Sequence, residues 1–127
     1  MSERTLLFVY GLLRPTQTGF QSLGLAGKVE VLGKDRVQGR LYHLGDYPGM
    51  ILGKTGVVHG EVFAIEDDAT MAHIDAYELY EPDRLRVSEY RRVEAMLLDR
   101  GETAWVYEYN RPIKGQPVIA SGNWWTH

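Results

Sequence analysis

One stretch of this sequence, residues 67–78, carries a clear helical period, and the apolar segments around it read as strands. Met71, Ile74 and Tyr77 recur at a spacing of three and define one apolar face. Glu66, Asp67 and Asp68 stand at its start, where negative charge favours a helix N-terminus. Pro82 bars much continuation beyond Leu79. Strands are expected over 6–10, 36–44, 57–65, 90–98 and 102–109, with shorter ones at 29–32 and 50–52. Within 36–44, Val37, Gly39 and Leu41 alternate with Arg36, Gln38 and Arg40. Thr103, Trp105, Tyr107 and Tyr109 share one face of the last strand. The Gly45-Asp46-Tyr47-Pro48-Gly49 cluster and residues 53–56 read as turns, and Asp99-Arg100-Gly101 as a hairpin turn. Residues 15–27, rich in Thr, Gln and Gly, read as a loop with one short helical turn. Strands around a single clear helix imply an α+β fold with a curled or barrel-like sheet. At 127 residues, 1–127 is expected to form one domain with a real core.

Composition removes several function classes. There are no cysteines, so disulfides, thiol catalysis and thiolate metal sites are excluded. The net charge of −3 argues against nucleic acid as a main partner. Arg84, Arg86, Arg91 and Arg92 gather, but Glu81, Asp83, Glu89 and Glu94 interleave with them, which predicts a solvated mixed-charge face. Met1-Ser2-Glu3-Arg4 lacks a signal-peptide pattern and no apolar run has membrane length, so no membrane partner and a cytoplasmic address are expected. His43, His59, His73 and His127 have no metal-ligand spacing. Gly53-Lys54-Thr55 is not a phosphate-binding P-loop: Pro48 stands where the pattern needs glycine, and a strand follows instead of a helix. No serine sits in a Gly-x-Ser-x-Gly elbow.

Two segments carry candidate chemistry. Leu6 to Tyr10 is an apolar run that stops at Gly11. Glycine permits a sharp turn or a close backbone approach, and a strand ending in a loop of amides is a natural anion cradle. An ordinary strand end is the other reading of the same residues. The second segment is Ile74-Asp75-Ala76-Tyr77-Glu78-Leu79-Tyr80 at the end of the helix. Asp75 falls early enough to sit on the outer face. Glu78 lies beside Tyr77 and Tyr80, in the last turn or just past it. The negative end of the helix dipole and desolvation by aromatic neighbours would both raise its pKa, which suits a general base that must also return its proton. A solvent-facing glutamate is the alternative.

Several segments together resemble the gamma-glutamylcyclotransferase-like family, AIG2-like and gamma-glutamylamine cyclotransferase-like proteins among them. Val9-Tyr10-Gly11-Leu12-Leu13-Arg14 resembles its Tyr-Gly-x-Leu signature. Gly39-Arg40-Leu41-Tyr42-His43-Leu44-Gly45-Asp46-Tyr47-Pro48-Gly49 is similar to its Gly-x-Leu-Tyr and Gly-x-Tyr-Pro segment, and Gly60-Glu61-Val62-Phe63 to the next strand. Ile74 to Tyr80 resembles the Leu-Asp-x-x-Glu-Gly-Tyr motif. Tyr90-Arg91-Arg92-Val93 and Ala104-Trp105-Val106-Tyr107 resemble the closing hairpin, and Ser121-Gly122-Asn123-Trp124 the tail. The segments occur in the family's order across nearly the whole chain. The resemblance implies a small mixed β-barrel with a flanking helix and a pocket at one mouth. It implies release of 5-oxoproline from a small-molecule gamma-glutamyl compound, with Glu78 as acid/base residue and Tyr10, Gly11, Leu12 and Leu13 as the loop that holds the glutamyl unit. Tyr107 is expected on the aromatic wall, with Tyr90 and Arg92 beside it. No cofactor is implied. Two positions depart from the family: Leu12 replaces Ser or Thr, and Leu79 replaces Gly.

Three functions therefore stand side by side: a cyclotransferase, a non-catalytic small-molecule binding protein on the same fold, and a sheet-edge interaction module using Trp124 and Trp125. The enzyme needs Glu78 and a binder does not. The sequence names neither the leaving amine nor the oligomeric state.

Overall fold

A computed structural model describes residues 5–15, 17–81 and 83–124. Residues 1–4, Pro82, Trp125 and His127, on which the sequence reading draws, lie outside them. Among the described residues, five strands form one sheet: β1 (Thr5–Val9), β2 (Glu30–His43), β3 (Pro48–Ile65), β4 (Tyr90–Met96) and β5 (Thr103–Tyr109), in the order β2-β3-β1-β5-β4. Two α-helices accompany them, α1 (Thr18–Ser22) and α2 (Asp68–Tyr77). β1 pairs antiparallel with β3 and parallel with β5; the other pairings are antiparallel. The fold is α+β. No described helix is long and apolar enough to cross a membrane.

β1 is apolar from Leu6 to Val9 because both of its faces are covered. Phe8 belongs to a core with Val37, Leu41, Met50, Val62, Val106 and Trp124, whereas Leu7 and Val9 face a second core with Phe63, Met71, Ile74 and Tyr107. α2 caps the second face through Met71 and Ile74. The C-terminal segment runs along β2 and β3, where Ile119 N–H bonds the Leu41 carbonyl at 2.8 Å and His59 N–H bonds that of Gly122 at 2.7 Å. Gly122 is required there: its φ is +68°, and a Cβ would stand 1.9 Å from the Val57 carbonyl oxygen.

The four segments expected at 29–32, 36–44, 50–52 and 57–65 are two long strands. The break expected at 53–56 is an excursion within β3: Gln38 pairs with Val57 but Gly39 with Leu52, so the residues between leave the ladder without ending the strand.

The expected barrel is corrected. β2 and β4 end the strand order and form no ladder with each other. The β4–β5 turn meets β2 through one backbone bond, Leu98 N–H to the Arg36 carbonyl at 2.9 Å. Beside it the buried Asp35 carboxylate accepts from the N–H groups of Asp99 (2.9 Å) and Arg100 (3.3 Å) and from the Arg100 guanidinium (3.0 Å). A side-chain clasp takes the donors that a closing ladder would have used.

Candidate active site

The helix end builds one wall. The Asp67 side chain caps the α2 N-terminus by accepting from Thr70 N–H at 2.9 Å. At the other end Tyr80 N–H bonds the Asp75 carbonyl (3.0 Å) and Leu79 N–H that of Ala76 (3.2 Å), the paired bonds of a Schellman motif. Leu79 is left-handed, with φ +55°. This closure ends the helix and puts Glu78 at its C-cap.

The opposite wall is the turn after β1. Arg14 N–H bonds the Gly11 carbonyl at 3.1 Å, and the Leu12 carbonyl accepts from Phe20 N–H at 3.2 Å. Among the described residues, nothing accepts from the N–H of Leu12 or Leu13. Gly11 serves a close contact: a Cβ there would stand 2.7 Å from the Pro48 ring. Arg14, 2% exposed, anchors the turn through Glu61 (3.1 Å) and Asn123 (3.1 Å).

Between these walls lies a cavity of about 180 Å³, lined by residues 8–13, Tyr47, Pro48, Tyr77, Glu78, Glu89, Tyr90 and Tyr107. The structure thus gathers Tyr10, Gly11, Leu12, Leu13, Glu78, Tyr90 and Tyr107 around one space. Arg92 is not on its wall. Its guanidinium pairs with Asp75 at 3.2 Å and lies over the rings of Trp105 (5.1 Å) and Tyr80 (5.7 Å). Asp75 in turn accepts from the Tyr107 hydroxyl at 2.6 Å, so it faces the sheet and not the outer face of the helix.

The cavity phenols Tyr10, Tyr90 and Tyr107, like Tyr47, donate their hydroxyl protons to protein acceptors. Tyr10 donates to the Tyr107 carbonyl (2.5 Å) and accepts from Met50 N–H (3.2 Å). Tyr90 donates to the Pro48 carbonyl at 2.7 Å. Burial, first of all, pushes the pKa values of Tyr10, Tyr90 and Tyr107 up, and the Glu78 charge adds to this. These rings shape the cavity with their protons in place.

Glu78 differs. Its carboxyl has no hydrogen-bond partner among the described residues. Burial, then the negative charges of Glu89 and Asp75, push its pKa up to about 8. A carboxyl poised there exchanges a proton near neutral pH.

Glu89 corrects the expectation of a solvated charge face. It is 9% exposed, lines the cavity, and accepts from the Tyr47 hydroxyl at 2.5 Å. Its flanking charges hide it in the sequence, where nothing separates it from Glu81 or Glu94. Tyr47, read as part of a turn, is also on the wall. Among the described residues no three His, Asp or Glu side chains converge as a metal site would.

The family model for "Gamma-glutamyl cyclotransferase, AIG2-like" matches residues 7–126. The chain belongs to this family. A gamma-glutamylcyclotransferase family protein, ytfP, of Citrobacter rodentium is 41% identical over 118 residues, covering 93% of each chain. The solution structure of ytfP from Escherichia coli is 37% identical with a TM-score of 0.68, covering 94% of this chain and 96% of that one. The crystal structure of an uncharacterized protein from Pyrococcus horikoshii is 27% identical with a TM-score of 0.70, covering 94% and 88%. Against the family motif, the left-handed backbone at Leu79 explains why glycine is the usual residue there.

Proposed function

We propose that this member of the gamma-glutamyl cyclotransferase family cyclises a gamma-glutamyl amine or gamma-glutamyl amino acid, forming 5-oxoproline and freeing the amine. The observation that carries this reading is one carboxyl of raised pKa, Glu78, in a small cavity whose other wall is the turn with open Leu12 and Leu13 amides. The amides suit the glutamyl carboxylate or the γ-carbonyl oxygen as it gains charge. The reaction is intramolecular, so the cavity's task is to hold the substrate folded, with its α-nitrogen over its own γ-carbon.

Protons balance through Glu78. Its carboxylate takes one proton from the α-ammonium. The freed lone pair forms the bond to the γ-carbon while the carbonyl electrons move to oxygen. As that oxygen re-forms the double bond, the bond to the leaving nitrogen breaks and Glu78 gives it the proton. The ring nitrogen's extra proton follows the same route, leaving a neutral lactam and a departing ammonium. The relay is typically worth about a hundred- to ten-thousand-fold in rate.

The test is a screen of gamma-glutamyl compounds for 5-oxoproline release, with Glu78→Gln alongside. The variant keeps the shape and cannot accept the proton, so turnover should fall at least about a hundredfold while binding changes much less. Glu81→Gln is the control: that side chain is 51% exposed and, among the described residues, pairs only with Arg84, at 3.7 Å, so the change should be nearly silent. Turnover unaffected by Glu78→Gln would remove Glu78 from the mechanism. No turnover of any compound would favour the non-catalytic binding protein.

A further inference from the structure

We propose that Glu89 is the second working carboxylate of this cavity, a fixed negative charge that holds the α-ammonium of the ligand while Glu78 carries the proton. The inference rests on the cyclotransferase reading for its chemistry, but its geometry stands alone.

Glu89 is held from several sides. Its N–H bonds the Leu79 carbonyl at 3.1 Å and its carbonyl accepts from Asn110 N–H at 2.8 Å. The Tyr47 hydroxyl donates to Oε2 at 2.5 Å, and among the described residues no donor reaches Oε1. The bond to Leu79 joins Glu89 directly to the backbone turn that places Glu78.

Among the described residues, the lining that the two carboxyls share carries no Lys, Arg or His. Hydrogen bonding sets the two apart: Glu89 accepts from the Tyr47 hydroxyl, whereas Glu78, whose pKa is raised by burial and then by the Glu89 charge, receives no donor among the described residues. The other groups around Glu89 are the phenols of Tyr90 and Tyr109, both shifted up in part by its charge, and Arg111, whose charge reaches Tyr47 and Tyr109. Around Glu78 stand Tyr10, Tyr77, Tyr90 and Tyr107, with Asp75 paired to Arg92. The missing positive charge is the ligand's. An α-ammonium beside Glu89 supplies it, lets Glu78 ionise, and leaves Glu89 facing the nitrogen that becomes positive when it attacks the γ-carbon.

The experiment needs no turnover. Binding of L-glutamate and of glutarate, which lacks the ammonium, is measured for the parent, Glu89→Gln, Glu78→Gln and Tyr47→Phe, and the Glu78 carboxyl is titrated by carbon NMR in the first two. The parent should prefer L-glutamate by at least about tenfold, the scale of a charged hydrogen bond. Glu89→Gln should abolish the preference and lower the Glu78 midpoint. Glu78→Gln should keep the preference, and Tyr47→Phe should weaken it. Equal binding of both ligands by the parent, or a preference or midpoint unmoved by Glu89→Gln, overturns the proposal. Should Glu89→Gln not fold, Tyr47→Phe decides: an undiminished preference overturns the proposal. These outcomes are independent of whether any gamma-glutamyl compound is cyclised.

Discussion

Leu79 is the residue where a local cost serves the site. A left-handed backbone costs a non-glycine residue about 1–2 kcal/mol. It is kept because the Schellman closure needs it, and because the Leu79 carbonyl receives Glu89 N–H at 3.1 Å. One strained residue therefore places both cavity carboxylates. Its side chain is 54% exposed, so little packing offsets the strain. Glycine would remove the strain but add about 0.5–1 kcal/mol of chain entropy to lose on folding. Leu79→Gly should thus stabilise the protein by about 0.5 kcal/mol, read as a higher urea midpoint with an unchanged slope. A lower midpoint would mean that Leu79 contributes packing its exposure does not reveal.

At the scale of elements, the sheet's ends are joined by Asp35. Burial is the largest influence on its carboxyl and raises its pKa, but bonds from Asp99, Arg36 and Arg100 together outweigh it and hold the pKa below the usual value. Asp35→Ala leaves those donors and the Arg100 charge without their acceptor, and should cost about 3 kcal/mol. The sign with pH follows from the lowered pKa. The carboxylate's contribution is complete above about pH 4, the unfolded value, and is lost as pH falls through the folded one. Chemical denaturation of parent and variant at pH 7 and pH 3 should show the gap narrowing in acid; a constant gap would mean that the clasp does not depend on charge. Asp35 was within reach of the sequence, since the alternation of Val37, Gly39 and Leu41 extends back one step to it. The continuity of β2 and β3 was not. Local signals at Gly53 and Gly56 mark a change of direction, but only the partner strand determines whether the ladder resumes.

For the whole molecule, the sequence made the helix-end glutamate and the glycine turn legible because each carries its own local signature: a helix C-terminus beside aromatics, and an apolar run cut by glycine. Glu89 and Tyr47 have none. They meet because a turn at the start of β3 crosses the entry to β4, contact that no periodicity encodes. The assembled cavity sets how stability varies with pH. Glu78 folds into a place that raises its pKa to about 8, so between about pH 4.5 and 8 the native state binds a proton that the unfolded chain has released. Stability should fall with rising pH across that window, by at most about 1.4 kcal/mol per pH unit. Above about pH 10 it should fall again, because Tyr10, Tyr47, Tyr77, Tyr90, Tyr107 and Tyr109 all have raised values in the fold. Glu78→Gln removes the first decline alone. Relative to the parent, the variant should therefore gain about 3–4 kcal/mol of stability between pH 5 and pH 8. Thermal or urea unfolding at the two pH values measures this. Parallel curves for parent and variant would show that Glu78 ionises in the folded cavity as readily as in water, and would remove the physical basis for its proposed role as a proton carrier.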